Sequence, residues 1–329
     1  IFFDFIEGIT RPQTASEVAE AVRDAINSSA AQGVLDLTAG LADGADSSFV
    51  DTTSNIVNLY GNVDSEVIQP ALVVTETTTD ANKLRDAILG SSFQPVGDAT
   101  FEGGATSAGF FEGGTPSIGI SSGIVLTTGD SRFVEGPNVS DGSTGSASLM
   151  GDADLDTYFS PFVTEDSSVL EFDFQMDNPG DLFFEFVFSS EEYNEFVDSG
   201  FNDVFAFFVD GENIGFVPGT FDPVTINTVN AGNPYLSGGV NPQFYNNNDR
   251  DDGGSYLETF GHDGFTDVFE ARKTGLAAGV HTIKLAISDV GDTALDSAVF
   301  VRAFNATGPD PRTLLPGIVF DDEGDGNHF

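Results

Sequence analysis

Leu170-Glu-Phe-Asp-Phe-Gln-Met176 decides the fold. Apolar and polar residues alternate along it, and only an extended strand puts Leu170, Phe172, Phe174 and Met176 on one face and Glu171, Asp173 and Gln175 on the other. Leu182, Phe184, Phe186 and Phe188 repeat the pattern. Val204 to Val209 is continuously apolar and runs into Asp210-Gly211, which predicts a central strand buried on both faces and then a tight turn. Ile283, Leu285 and Ile287 alternate again, and Ala298 to Phe304 supplies a last strand. Many short strands with Gly-rich connections predict a mainly β chain, a jelly-roll-like β-sandwich over residues 78–304.

The flanks read differently. Residues 1–77 predict a small N-terminal α/β (α+β) module. Thr14 and Glu17 form a capping box, after which Val18, Ala21, Val22, Ala25 and Ile26 share one helical face. Ile1 to Ile6, Val34 to Thr38, Phe49 to Leu59 and Ala71 to Thr75 read as its strands. A short helix from Asp80 to Leu89, stopped by Gly90, opens the larger domain. Residues 305–329 form an acidic, Pro/Gly-rich tail with one apolar island, Ile318-Val319-Phe320.

Fifty-three acidic residues against 11 basic ones give a net charge of -42, which excludes nucleic acid as a partner and repels an anionic membrane surface. No run of 18 apolar residues offers direct membrane insertion. Acidity of this degree often accompanies disorder, but 40% apolar residues and 32 Phe supply a core. With no cysteine, stapling falls to packing, metal or assembly. An extracellular or cell-surface location follows from the acidity, the Gly/Asn/Asp/Thr-rich loops and the millimolar calcium available outside cells. No basic-then-apolar leader is present, so the processed form of an exported chain is expected.

Hard oxygen ligands stand at the ends of the apolar runs. Glu191 and Glu192 follow one strand, Asn202 and Asp203 precede another, and Asp289, Asp292 and Asp296 lie before the last. Ca²⁺ takes six to eight such oxygens, and if these strands are neighbours their ends converge on one ion. The competing reading is a solvated acidic rim. Calcium is favoured because carboxylates beside buried Phe are costly unless neutralised, and 11 basic residues cannot neutralise them. Asn247-x-Asp249-x-Asp251-x-Gly253 and Asp152-x-Asp154-x-Asp156 share alternate-oxygen spacing without completing an EF-hand, and each reads equally as a turn.

Six stretches in order, Gly119 to Gly129, Gly151 to Leu155, Phe186 to Phe196, Phe201 to Phe208, Asn227 to Asn230 and Asp289 to Phe300, resemble the choice-of-anchor L domain of bacterial surface proteins over about residues 78–304. The resemblance implies an exported surface protein whose relatives carry different C-terminal sorting signals, and it implies no biochemical activity. Leu315-Pro-Gly-Ile-Val319 departs from a sortase signal, lacking its Thr and Gly.

Ile1-Phe2-Phe3-Asp4-Phe5-Ile6 is an almost wholly apolar strand candidate. It reads either as an ordinary edge strand or as a donor strand that completes the sheet of the next copy, with Ile318, Val319 and Phe320 as a second assembly contact. The first expectation is therefore a calcium-stabilised extracellular structural protein, a homo-oligomer or homopolymer forming filaments or matrix. The alternative is a calcium-dependent adhesin for surface glycans, using Asn233-Pro-Tyr235 and Gln243-Phe-Tyr-Asn-Asn247. An enzyme is not expected. Gly119-Ile-Ser121-Ser-Gly123 matches the G-x-S-x-G pattern but runs into a strand where a helix is needed. His262, His281 and His328 lack zinc-ligand spacing. Asn138-Val-Ser140 and Asn305-Ala-Thr307 are glycosylation sequons where a host uses them.

Overall fold

The computed structural model describes residues 37–41, 57–61, 71–90, 93–145 and 149–304. The chain divides into two compact units, Ile1–Ile68 and Gln69–Phe329. In the first, β1 (Leu37–Leu41) pairs antiparallel with β2 (Val57–Gly61), Leu37 opposite Gly61. The expected helix after Thr14 lies outside the described residues, as do the terminal runs Ile1–Ile6 and Ile318–Phe320.

The second unit begins with β3 (Val73–Thr77), α1 (Ala81–Ile88), β4 (Gln94–Glu102), β5 (Ala108–Glu112), β6 (Ser122–Thr127) and α2 (Ala153–Tyr158). The long strands β7 (Thr164–Met176) and β8 (Gly180–Ser190) follow, then β9 (Val204–Val209), β10 (Glu212–Asn213), β11 (Val224–Thr225) and β12 (Tyr245–Asn247). Last come β13 (Gly264–Thr266), β14 (Phe269–Leu276), β15 (Gly279–Val290) and β16 (Ser297–Phe304). A six-stranded sheet runs β10-β9-β15-β7-β4 with β11 also on β9; an eight-stranded sheet runs β12-β13-β8-β16-β6-β5-β3 with β14 also on β8. All these pairings are antiparallel, and the two sheets make a β-sandwich. The stretch at Ala71–Thr75, expected in the N-terminal module, contributes β3 to the sandwich, because Val73–Thr77 pairs with Gly109–Glu112 of β5.

Alternation in β7 and β8 aims Leu170, Phe172, Phe174 and Met176 from one sheet at Leu182, Phe184, Phe186 and Phe188 of the other, in one buried cluster. Phe184 and Phe186 meet Phe207 and Phe205 of β9 at ring-centroid distances of 4.9 and 5.1 Å. Each such ring contributes on the order of 1.5–3 kcal/mol through burial alone. β9 is apolar throughout because both its faces are covered: Phe205, Phe207 and Val209 face the central core, while Val204, Ala206 and Phe208 pack with Leu155 of α2. Asp210 and Gly211 both have positive φ, 51° and 78°, the two-residue turn expected after this strand. Asp80 caps α1 by accepting from Lys83 N at 3.2 Å, and Leu84 and Ile88 bury its apolar face in the same core.

Candidate metal centre

The pairing register gathers the acidic strand ends at one end of the sandwich. Ser190, the last residue of β8, is opposite Ser297, the first of β16, so Glu191 and Glu192 leave beside Asp296; Glu191 N donates to Asp296 O at 3.1 Å. In the other sheet Val204 is opposite Ser288, which brings Asp203 to Asp289. Asp203 ties the sheets together: Oδ1 accepts from Val290 N of β15 at 3.0 Å and Oδ2 from Ser297 Oγ of β16 at 2.7 Å.

These carboxylates are desolvated. Glu191 is 0% exposed, Glu192 2%, Asp203 1%, Asp289 2% and Asp296 1%. Glu191 Oε1, Glu192 Oε2 and Asp289 Oδ1 have no hydrogen-bond partner, and Asp249 Oδ2 and Asp263 Oδ2 are in the same condition nearby. No base answers them. Among the buried described residues Arg85 is the one permanent cation, and it bonds Asp86 and Gly97 O. Buried His262 is pushed down to about 3 by burial and stays neutral, with Nδ1 3.0 Å from Ser189 Oγ.

The electrostatic consequence is a set of carboxyls held far above their usual range. Burial, then Asp263, pushes Glu191 up to about 10. Burial, then Asp203 and Asp292, pushes Glu192 up to about 9. Burial takes Asp203 to about 7 against the opposing hydrogen bonds from Ser297 and Val290, and burial followed by the charge of Asp203 raises Asp289. Asp296 rises to about 6, also by burial, restrained by Gly145 N and Asp130 N, which donate at 2.9 and 3.2 Å. At neutral pH such a group holds protons or a cation.

The remaining sequence candidates fall into three places. Asn202 and Asp292 lie at the rim, their Oδ1 atoms accepting from Asn227 N and Ala294 N at 2.8 and 3.0 Å. Asn247, Asp249 and Asp251 do not converge through their alternate spacing. Asp249 Oδ1 accepts from Asp251 N and Asp252 N in a turn, Asn247 Oδ1 accepts from Asn194 Nδ2, and Asp251 is exposed. Of these three only Asp249 is buried. Asp152 and Asp154 belong elsewhere altogether: Asp152 caps α2, and both carboxylates pair with Lys284 Nζ at 2.7 and 2.5 Å.

Sequence reading missed Asp263 and Asn138. Asp263 is 0% exposed, touches the Glu191 carboxyl and is pushed by burial to about 8. Asn138, read as a sequon, is buried, its Nδ2 donating to Asp263 Oδ1 at 2.7 Å and Asn248 O at 3.0 Å. The glycan-candidate Tyr245 spends its hydroxyl inward, on Asn194 Oδ1 at 2.6 Å. Ser121 is exposed just before β6, with a strand and no helix behind it.

Among the described residues no three His, Cys, Asp or Glu side chains enclose an ion by themselves. A cation here would draw on carboxylates in twos together with carbonyl, amide and water oxygens, a mixture usual for Ca²⁺. Among the described residues no helix is long and apolar enough to cross a membrane. The sequence signature of the choice-of-anchor L domain matches residues 73–305. No curated protein and no solved structure matches the chain significantly.

Proposed function

Since the chain belongs to the choice-of-anchor L family, a family of secreted and cell-surface proteins, we propose that it is an extracellular structural protein whose sandwich is closed at one end by calcium. One observation carries this reading: Glu192, Asp203 and Asp289, from strand ends of both sheets, are buried, Glu192 Oε2 and Asp289 Oδ1 have no hydrogen-bond partner, and among the described residues no base pairs with them. A divalent cation there neutralises the group and ties the eight-stranded sheet to the six-stranded one. Calcium fits better than zinc, because the donors are all hard oxygens and the chain has no cysteine.

Assembly into filaments or matrix is part of the proposal on sequence grounds alone, from the apolar runs Ile1–Ile6 and Ile318–Phe320. No reaction is proposed for this chain.

The test is thermal unfolding of the purified chain in calcium, in magnesium and in excess chelator. Calcium alone should raise the melting temperature, since an ion that binds only the folded state stabilises by about 2.7 kcal/mol at a hundredfold excess over Kd. Identical melting in all three buffers would remove the reading. Electron microscopy of the same samples addresses assembly, which requires filaments that disperse in chelator.

A further inference from the structure

We propose that the chain binds a neutral saccharide in a cleft beside α2, on the outer face of the six-stranded sheet. The inference is independent of the calcium reading and goes beyond it.

The strand register builds the floor of this cleft. Phe208 of β9, Lys284 of β15 and Glu171 of β7 lie in one row across three paired strands, and Thr282 lies in the next row, opposite Asp173. Their sequence neighbours Ile283, Leu285, Leu170 and Phe172 point into the core, so this row faces outward. α2 covers part of that face: Leu155 is buried in one cluster with Ala206, Ala286 and Val169, and the helix ends at Tyr158. The step between helix and sheet is a cleft of about 230 Å³, with Asp154 and Tyr158 on its wall.

The groups in it are held in place but not all used. Tyr158 is 45% exposed, its ring centroid 6.2 Å from that of Phe208, and its hydroxyl has no partner among the described residues. Lys284 and Glu171 are directly opposite, yet the lysine turns to α2, where Nζ meets Asp152 and Asp154 at 2.7 and 2.5 Å. An ammonium has three N–H donors, so one is left over. Glu171 is exposed and is left without a base or a donor.

The cleft therefore offers an exposed ring, a fixed donor and, one strand or about 4.8 Å away, a free acceptor. A pyranose matches all three: its C–H face stacks on the ring, and its neighbouring hydroxyls, each both donor and acceptor, meet the ammonium and the carboxylate. Other occupants fit less well. An anion meets Asp154 and Glu171 as like charges, and a wholly apolar ligand would bury Lys284 and Glu171 away from water. The volume lies below the roughly 300–1,000 Å³ of sites that enclose drug-sized ligands, so one sugar ring sits in the cleft and a longer chain runs out over the sheet.

Affinity electrophoresis of the full chain, in calcium buffer, through gels carrying starch, xylan, galactomannan, alginate or chitosan tests this. At least one of the three neutral polymers should retard the wild type. Tyr158→Ala and Glu171→Gln should each weaken that binding about tenfold. Phe221→Ala, which removes a ring 89% exposed outside the cleft, should leave it unchanged. If Tyr158→Ala does not fold, Glu171→Gln decides alone. No retardation by a neutral polymer overturns the proposal, as does retardation that the cleft variants retain or that Phe221→Ala abolishes. Retardation by alginate or chitosan alone also overturns it, because it would mark a contact driven by charge.

Discussion

Glu192→Gln should change stability in opposite directions with and without calcium. The substitution keeps volume and hydrogen-bonding reach but removes the charge from a side chain 2% exposed, against Asp203 and with Oε2 unpartnered. Each buried unsatisfied polar group costs about 1–3 kcal/mol. The five unpartnered carboxylate oxygens together then cost about 5–15 kcal/mol without an ion, as much as a whole domain's net stability. In chelator above about pH 9, where Glu192 is ionised, neutralising one of them should return about 1–3 kcal/mol. In calcium the same change deletes a ligand and should forfeit up to the roughly 2.7 kcal/mol that a well-filled site supplies. At about 2–4 °C per kcal/mol for a chain of this size, the melting temperature should rise by about 2–12 °C in chelator and fall by up to about 5–11 °C in calcium. Differential scanning calorimetry of both proteins in both buffers reads this directly. A shift of the same sign in the two buffers would refute the reasoning, because it would make Glu192 a hydrogen-bond acceptor and nothing more.

Lys284→Met should cost about 1–3 kcal/mol in urea unfolding by leaving Asp152 and Asp154 without their cation, and it should leave the calcium count unchanged; a lost ion would make that pair ligands after all. Gly129→Ala should destabilise by about 3 kcal/mol or more, since a Cβ at 129 would lie 1.9 Å from Asp296 Oδ2; near-wild-type urea unfolding would show that Asp296 can move. His281→Gln probes a charge pair outside the acidic end. Burial lowers His281, but the bonds to Asp210 Oδ2 at 2.7 Å and Ala277 O at 2.9 Å outweigh it, so its folded pKa is raised; burial raises Asp210, but its bonds to His281 and Thr282 outweigh that, so Asp210 is lowered. The pair's contribution, about 0.5 kcal/mol, is fully present below the unfolded histidine value of 6.5 and above the unfolded aspartate value of 3.8. It is lost as pH rises through the folded His281 value or falls through the folded Asp210 value. The stability gap between wild type and variant should therefore shrink from pH 6 toward pH 8, and a gap that widens would contradict it.

The sheets were legible in the sequence wherever one face of a strand meets the core. Leu170 to Met176 and Leu182 to Phe188 alternate because each strand has one face inward, and β9 is continuously apolar because α2 covers its back. The first part of β7 was not legible. Thr164, Asp166, Ser167 and Ser168 are polar yet buried, tolerated through bonds such as Ser168 Oγ to Thr127 O at 2.7 Å, which composition cannot reveal. At the acidic end, Glu191, Glu192, Asp203, Asp289 and Asp296 stood out as charges abutting Phe-rich strands. Alternate-oxygen spacing is ambiguous, since an N-cap aspartate such as Asp152 and a turn aspartate such as Asp249 produce the same pattern as a ligand loop. Asp263 hid in Gly261-His-Asp-Gly264, which reads as a turn, because β13 behind it is only three residues long.

The net charge of -42 does not by itself require an ion, because most of the acids among the described residues are not buried, and solvent and salt screen them. What calls for one is the placement of a few. The Phe rings between β8 and β9 hold the two sheets together through the middle of the sandwich, but at the end where Ser190, Val204 and Ser297 meet, the packing gives way to Glu192, Asp203 and Asp289. Apolar side chains of similar volume could close that end without any cation, since replacing a buried charged group by hydrophobic residues is often neutral or stabilising. Carboxylates in that position make closure conditional on what neutralises them. If calcium is that counter-ion, as proposed, a chain so built is stiff where calcium is plentiful and loosened where it is scarce, and for a protein of the cell exterior that dependence would link its folded state to the medium around it.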